Sequence, residues 1–554
     1  MLSLGFNYTQ MHDSSACIVR DGELLFAVAE ERLSRVKHDA SFPHRAIRAC
    51  LDFVGVRADQ LDNICVGWAR PHSGFVTDLK CMALGIHPVT SVNVITTARV
   101  FASLARQRGG FRRFTQHFGP TRAHMRFVDH HFAHAISAYA YSGFRDAAIV
   151  VADGRGAWEA SSIWYGHDGA LDLVQMIPWP NSLGLFYAQF TEYLGFHANA
   201  DEWKVMGLAP YGELGVDLQE FISLDRDVYC VNARGLLSGV PEIVKRLGPA
   251  RVPESEIEDR YKNIAYAVQD CCERAMLGLV RLAVHKTGSR NICLAGGVAL
   301  NSKANGKIQA SGLVDDIFVQ PAAADDGVAL GAALAPYLVP GQRLPLTKLR
   351  QVYLGPCFED GEIEKTLRTY KIRATRLENV ASATAELLAA GKIIGWFQGR
   401  MEFGPRALGC RSILADPRDP EMNTKVNNAV KFREWWRPFA PSMLSEVADE
   451  YLEYSHDSPF MILTNPVRPE KRAVIPSVTH VDGSARPQTV HREVHPLYWQ
   501  LIREFGNRTG VPVIMNTSFN LRGEAIVCTP TEALRTFFSS GMDALVIGAF
   551  LVEK

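Results

Sequence analysis

No stretch of the chain approaches the ~20 consecutive apolar residues that a helical membrane span requires, and the N-terminal run "MLSLGFNYTQMHDSSACIV" is broken by Asn7, Gln10, His12 and Asp13. Neither secretion nor contact with a membrane is expected. Net charge is missing as well, since 59 Lys plus Arg stand against 59 Asp plus Glu, so no bulk field draws the protein to nucleic acid or an anionic surface. An anionic ligand must therefore meet a local basic pocket. The 11 cysteines among 554 residues include no CxxC pair and sit mostly in apolar runs, which argues against a thiol zinc site or a disulfide scaffold and points to a reducing, cytoplasmic setting. Low-complexity tracts and short-period repeats are absent too.

What remains is ordinary folded-protein composition, 47% apolar and 21% charged residues. The length exceeds the roughly 250–300 residues at which single cores stop growing, so at least two domains are expected. Residues 2–30 read as a β-meander, with Asp21-Gly22 between its second and third strands. A second copy starts near residue 147 and carries Asp153-Gly154 and Asp168-Gly169. Helical stretches follow each meander, at 44–55 and 262–288, predicting two α/β lobes facing one cleft. Residues 291–308, "NICLAGGVALNSKANGKI", run from a strand through Ala295-Gly296-Gly297 into a helix, a layout that turns backbone N–H groups toward a phosphate or nucleoside. Just downstream, "AAADDGVALGAALAPY" enters a helix of small residues able to pack closely. The Pro- and Gly-containing stretch 338–350 is the linker candidate, which predicts domains 1–345 and 346–554, the second a smaller α/β domain.

Three groups of residues carry chemistry. His130 and His134 in "VDHHFAHAISAYAYSGF" stand one helical turn apart, so both imidazoles can face one cation while His131 points elsewhere. The Glu of an HExxH protease is lacking, which removes the metal-hydrolase reading. Asp153 and Asp325 would add oxygen ligands, and a mixed His/carboxylate set suits Fe, Mn or Zn. Second, the turn at His12 to Ala16 can hold His12 as a general base beside a hydroxyl substrate, and Lys37 can offset phosphate charge. Arg32 and Arg35 in the same mixed-charge run are read as a solvated helix face. Third, Arg400, Arg406, Arg411, Lys431, Arg437 and Arg486 recur among Gly, Pro and aromatic residues, which predicts a structured oxyanion pocket. Asn516 and Ser518, after the strand "VPVIM", would donate neutral hydrogen bonds to a carbonyl or amide. Arginines interleaved with Trp435 and Trp436 would also suit nucleic-acid bases, but the neutral overall charge opposes that.

The motifs HDSSA, AEERLSRVKHD, DHHFAHA, VVADGRG, KVMGLAPYG, LAGGVALN, ADDGVALGAA, GRMEFGPRALGCRSILADPR, VKFREWWRPFAPS, DGSARPQTV and NTSFN, in this order over nearly the whole chain, together resemble O-carbamoyltransferases of the NodU, cephem and tobramycin type. The resemblance implies an actin-like two-lobed N-terminal domain followed by a YrdC-like α/β domain. It implies that carbamoyl phosphate and ATP yield a carbamoyl-adenylate in the second domain, and that the first passes the carbamoyl group to a hydroxyl of a small-molecule alcohol, such as a sugar, antibiotic or other natural-product scaffold. Residue by residue, it implies that His130, His134, Asp153 and Asp325 ligate an iron-type metal, Fe2+ with Mg2+ or Mn2+ as alternatives. It further implies that His12 is the base with Lys37 near the transferring group. Gly296, Gly297 and Asn301 fall in the nucleotide-binding run. Arg406, Lys431, Arg437, Arg486, Asn516 and Ser518 would bind carbamoyl phosphate, and a homodimer is admitted. Two other readings stand beside it: a tRNA-modifying threonylcarbamoyl transferase, and a metal-dependent module that uses its nucleotide cleft as a switch.

Overall fold

A computed structural model describes residues 1–8, 13–68, 110–224, 228–338, 342–454 and 456–554, so His12 lies outside the described residues. The chain divides into two compact units: Met1–Glu30 with His38–Leu349, and Glu31–Lys37 with Arg350–Lys554. Residues 31–37 are thus grouped with the C-terminal half of the chain, whereas the sequence expectation placed all of 1–345 together. Among the described residues no helix is long and apolar enough to cross a membrane.

The first unit contains two five-stranded sheets. One comprises β1 (Leu2–Asn7), β2 (Ser15–Arg20), β3 (Glu23–Ala29), β4 (Asn63–Val66) and β5 (His124–Phe127), in the order β3-β2-β1-β4-β5. The other comprises β6 (Asp146–Ala152), β7 (Glu159–His167), β8 (Ala170–Pro178), β9 (Asn291–Ala295) and β10 (Asp316–Val319), in the order β8-β7-β6-β9-β10. Both have the same plan, an antiparallel trio whose first strand continues into two parallel neighbours. The duplication read from the two meanders is therefore present in the topology, and the unit is of the actin-like two-lobed α/β class. The hairpin turns follow from local chemistry. Asp21 and Gly22 have φ of 51° and 86°, Asp168 and Gly169 48° and 76°, the paired positive values that tight hairpins require and Asp-Gly accommodates.

Helices cover these sheets: α1 (His44–Val54), α2 (His130–Ser142), α3 (Asp259–Thr287) and α4 (Val328–Leu334). Asp129 begins α2 by accepting a hydrogen bond from Phe132 N at 3.3 Å, and Gly143 ends it in the left-handed region at φ 78°. Twelve of the thirteen α2 residues are buried, His130, His131, His134, Ser137 and Ser142 among them, so the helix is internal and carries its polar groups inside the unit.

The second unit is built on an eight-stranded mixed sheet: β11 (Thr375–Arg376), β12 (Ile394–Phe397), β13 (Arg411–Ala415), β14 (Ala440–Leu444), β15 (Gln488–Val490), β16 (Val513–Ser518), β17 (Ala544–Ile547) and β18 (Phe550–Glu553). Their spatial order is β11-β18-β17-β12-β13-β16-β14-β15. Side chains alternate across it as strand geometry demands. Ile394, Trp396, Leu414, Ile514 and Val546 share one core with Leu388 of α5 (Val380–Ala389) and Phe505 of α6 (Pro496–Thr509). Phe397, Ile413, Met443, Met515 and Leu545 enter a second core on the opposite face.

Residues 31–37 correct one expectation. Arg32 and Arg35 are not a solvated face: Arg32 is 6% exposed, and its Nη2 donates to Gly404 O at 3.0 Å. Arg35 donates to Ile526 O and Ala525 O at 2.5 and 2.6 Å and pairs with Glu532 at 3.5 Å, while Leu33 packs on Met401, Ile526 and Cys528. These guanidinium groups satisfy backbone carbonyls some 370 to 490 residues downstream, partners that a local charge pattern does not reveal.

Candidate functional site

Two groups of polar side chains stand out, one in each unit. In the first unit, α2 supplies His130 and His134, the end of β6 leads to Asp153, and the turn before α4 supplies Asp325. One ligand atom from each of the four lies within 4.8 Å of the other three. His130 Nε2 is 3.0 Å from Asp153 Oδ2 and 3.6 Å from Asp325 Oδ1, and His134 Nε2 is 3.5 Å from Asp153 Oδ2. Asp325 is the member of the Asp325-Asp326 pair that joins this cluster.

The surroundings orient each group. His130 Nδ1 lies 3.3 Å from Gly67 O, leaving Nε2 for the cluster. Asp153 Oδ1 accepts from Gly154 N at 2.8 Å and Gly297 N at 3.2 Å, which leaves Oδ2 toward the histidines. Burial works to lower the His130 pKa, but Asp153 and Asp325 outweigh it and hold it up at about 9. Burial likewise works to raise that of Asp153, and interaction with His130 and His134 keeps it well below the usual carboxylate range. Both ring nitrogens of fully buried His134 lack a hydrogen bond among the described residues, so the donor set fits a cation that would satisfy it.

The glycine turn beside this cluster is closely built. Gly296 has φ 88°, and a Cβ there would lie 2.2 Å from Ala152 O. Gly297 directs its N–H to Asp153, as above. The Asn301 side chain caps the helix Ser302–Ala310 through Ala304 N at 3.0 Å and exchanges two hydrogen bonds with Gln269 at 2.9 and 3.0 Å. Its amide is therefore committed to the scaffold.

In the second unit the cations converge. Burial pushes the Arg406 guanidinium down to about 10, and burial together with Arg406 drives Arg486 well below its ordinary value. Lys431 is lowered by burial and then by Arg433, Arg437 and Lys37, and Arg433 by burial, Arg437 and Arg486. Glu434, 3.2 Å from Arg437, is the carboxylate paired within this segment. Neither Arg406 nor Arg486 has a protein hydrogen-bond or ion-pair partner among the described residues. Charges gathered this closely with so little compensation cost free energy that a bound multivalent anion recovers.

The backbone explains how they are held. Asn427–Lys431 forms a π-helical turn, a feature enriched at functional sites, and Phe432 leaves it at φ 45°. Lys431 is thereby buried while Phe432 is 56% exposed. The Lys431 ammonium donates to Ser518 O, to Ser518 Oγ at 3.2 Å and to Asn520 Oδ1 at 2.9 Å. Ser518 in turn donates to Asn520 Oδ1 at 2.7 Å. Asn516 differs from its expected role as a donor: its Nδ2 is shared among Ala407 O, Ser442 Oγ and Gln488 Oε1 at 3.0–3.2 Å. Its Oδ1, buried and without a hydrogen bond among the described residues, is instead an acceptor suited to an N–H of an amide.

Arg400 and Arg411 prove structural. Arg411 is fully buried, donates to the carbonyls of Gln398, Gly399, Cys410 and Pro356 and lies 3.7 Å from the Phe397 ring centroid. Arg400 donates to Leu354 O at 2.6 Å. Two residues escaped the sequence reading. Arg433 belongs to the cation group, and its signal was its place between Lys431 and Arg437. Glu402 builds the loop that bears Arg406, its Oε1 accepting from Leu408 N and Cys410 N at 2.7 Å and Arg411 N at 3.2 Å. The signal there was an acid followed at once by a Gly/Pro loop, whose N–H groups need acceptors.

Similarity to known proteins follows the same division. The family model described as carbamoyltransferase N-terminus matches residues 3–72 and 109–334, and that described as carbamoyltransferase C-terminus matches 385–554. Nodulation protein NolNO of Sinorhizobium fredii is 39% identical over 565 residues, covering all of this chain and 80% of the relative. Nodulation protein NolO of Bradyrhizobium diazoefficiens is 41% identical, with 77% of this chain and 79% of the relative covered. Among solved structures, component A of the (R)-2-hydroxyglutaryl-CoA dehydratase of Acidaminococcus fermentans aligns over 60% of this chain and 97% of its own at 13% identity, with a TM-score of 0.32.

Proposed function

From the premise that the chain belongs to the carbamoyltransferase family and is an O-carbamoyltransferase, we propose that it uses ATP to move the carbamoyl group of carbamoyl phosphate, through a carbamoyl-adenylate, to a hydroxyl of a small-molecule alcohol. The observation that carries the donor assignment is the cation group of the second unit. Carbamoyl phosphate is a small dianion bearing an amide. Arg406 and Arg486, which have no hydrogen-bond or ion-pair partner among the described residues, meet its phosphate oxygens with bidentate geometry, and Asn516 Oδ1 accepts from its NH2. Lys431, Arg433, Arg437 and Lys37 supply the surrounding positive potential that steadies phosphate as water cleaves the donor to carbamate and phosphate, and the triphosphate of ATP as a carbamate oxygen attacks the α-phosphorus and pyrophosphate leaves.

Acceptor chemistry belongs to the first unit in this reading. His130, His134, Asp153 and Asp325 hold a divalent cation, Fe2+ or an alternative such as Mn2+ or Mg2+. When bound, such a cation supplies Lewis-acid neutralisation of phosphate charge. Gly67 O and the Gly154 and Gly297 N–H groups keep the ligands oriented. The alcohol oxygen attacks the carbamoyl carbon, AMP departs, and the hydroxyl proton passes to His12, the general base of this scheme. The Gly296-Gly297 turn, bordering Asp153, is the nucleotide-facing backbone.

The test is to incubate the purified, metal-loaded chain with carbamoyl phosphate and ATP and to follow AMP, pyrophosphate and phosphate with and without a panel of sugars and aminocyclitols. Pyrophosphate formation that needs carbamoyl phosphate, followed by an alcohol mass gain of one carbamoyl group, is expected. Absence of both would refute the proposal.

A further inference from the structure

A row of polar side chains crosses a sheet face of the second unit that is otherwise apolar. Ser442 on β14 stands directly opposite Gln488 on β15, and Asn516 lies on β16, the strand on the other side of β14, on the same face. Two residues along each strand, Leu444, Val490 and Ile514 belong to the core. The three polar residues are themselves at most 2% exposed. Polar groups buried beside a core cost free energy unless each finds a partner.

Those partners fix which way each amide points. Gln488 lies 2.8 Å from Leu408 O, and a carbonyl only accepts, so the Gln488 NH2 stands there. Its Oε1 then accepts from Ser442 Oγ at 2.7 Å and from Asn516 Nδ2 at 3.2 Å. Asn516 Nδ2 also reaches Ala407 O at 3.2 Å and Ser442 Oγ at 3.0 Å. With its hydrogen given to Gln488, Ser442 Oγ can only accept from Asn516. The reverse orientation of Asn516 would set its oxygen against Ala407 O and Gln488 Oε1. Asn516 Oδ1 is thereby left as a bare acceptor, buried and without a hydrogen bond among the described residues. The Tyr498 hydroxyl faces the same Ser442 and Asn516 without closing a hydrogen bond to Oδ1. The row also joins the segments that carry the cations: Ala407 and Leu408 follow Arg406, Gln488 comes two residues after Arg486, and Ser518, two residues beyond Asn516, accepts from Lys431 at 3.2 Å.

We propose that Gln488 is the positioning residue through which the phosphate-binding site selects a carbamoyl group over an acyl group of the same size, holding Asn516 so that Oδ1 meets an NH2. The inference rests on the assignment of carbamoyl phosphate to this site above. Acetyl phosphate matches carbamoyl phosphate in charge and shape, so the cations alone do not tell the two apart. Its methyl group has no hydrogen to give Oδ1 and leaves that oxygen buried and unpaired, which is how a site built to bond an N–H rejects the analogue that lacks it.

The test is calorimetry on the full chain with two stable phosphonates, phosphonoacetamide and acetonylphosphonate, which differ as NH2 differs from CH3, and with inorganic phosphate. Wild type is expected to bind the amide about tenfold or more tighter than the ketone, as an unpaired buried acceptor requires. Gln488→Met, similar in length and without either polar atom, is expected to cut that ratio by about threefold or more and to leave phosphate affinity within about twofold. Ser442→Ala cuts the ratio less, because Asn516 Nδ2 keeps Ala407 O and Gln488 Oε1, and Tyr498→Phe leaves it unchanged. A ratio kept in Gln488→Met overturns the inference, and so does weakening of all three ligands in step, which would make Gln488 a packing residue. Collapse of the ratio in Tyr498→Phe overturns it too, by making the phenol the group that orients Asn516. Were Gln488→Met to aggregate, an unchanged ratio in Ser442→Ala decides against the inference. Wild type that binds phosphate through Arg406 yet takes amide and ketone equally overturns the inference alone. Wild type that binds all three ligands no better than Arg406→Ala overturns the carbamoyl phosphate assignment and this inference with it.

Discussion

Gly331 passes Ala133 so closely that a Cβ on Gly331 would lie 1.7 Å from Ala133 O. This contact between α4 and α2 fixes the helix that presents His130 and His134, and on the sheet side Gly5 approaches α4 as tightly, with its Cβ position 2.0 Å from Ala329 O. Backbone cannot yield as a flexible side chain does, so Gly331→Ala forces the helices apart. The expected cost is about 3 kcal/mol, the upper end for overpacking, read as a lower urea midpoint, and weaker metal binding should accompany it because the ligand helix moves. An unchanged midpoint would mean that α4 shifts freely along α2.

Of the four proposed cation ligands His134 has least to do otherwise, since neither ring nitrogen has a hydrogen bond among the described residues. His134→Ala is therefore expected to leave secondary structure intact and to weaken Fe2+ or Mn2+ binding, measured by calorimetry, by clearly more than the 10–100-fold that follows loss of an outer-shell partner. Wild-type affinity in this variant would remove His134 from the cation site.

How far the sequence reached is seen in particular residues. The paired hairpins and the small-residue helix were legible because turn chemistry and close packing are written in adjacent residues: Asp21-Gly22, Asp168-Gly169 and Gly331 each act where they stand. His130 and His134 were legible because one helical turn brings them together. Arg32, Arg35, Arg400 and Arg411 were not, since a guanidinium bound to backbone carbonyls has the same sequence signature as one awaiting an anion. Lys37 shows the same limit at longer range. Its numbering suggests the first unit, but α-helical residues 31–34 and the turn after them belong with 350–554, where Lys37 adds to the charge around Lys431.

Arg406 is held by a loop whose N–H groups converge on Glu402, and Arg406 itself has no hydrogen-bond or ion-pair partner among the described residues. Arg406→Ala should thus leave stability nearly unchanged, or raise it slightly by relieving repulsion of Arg486. Carbamoyl phosphate-dependent pyrophosphate release should fall by about 10²-fold or more, corresponding to loss of charge-assisted hydrogen bonds to a phosphate. Glu402→Gln, by contrast, should lower the melting temperature and the activity together, because one charged acceptor of three N–H groups is weakened. Full pyrophosphate release by Arg406→Ala would sink the donor-site assignment.

His495 sets a pH limit on the second unit. Its Nδ1 caps α6 by accepting from Tyr498 N at 3.4 Å, and its Nε2 lies 3.2 Å from Gly409 O, so both nitrogens are satisfied by the neutral ring. Burial holds its pKa down at about 4, against 6.5 when unfolded. Between those values the unfolded chain binds a proton that the folded chain does not, so this stabilisation is complete above pH 6.5 and is lost as pH falls toward 4. The full difference amounts to about 3 kcal/mol. Urea midpoints measured from pH 7 to pH 4.5 should decline accordingly, and His495→Gln, which cannot take up the proton, should show a shallower decline despite starting lower. A variant whose pH dependence matches wild type would assign the acid sensitivity to another group.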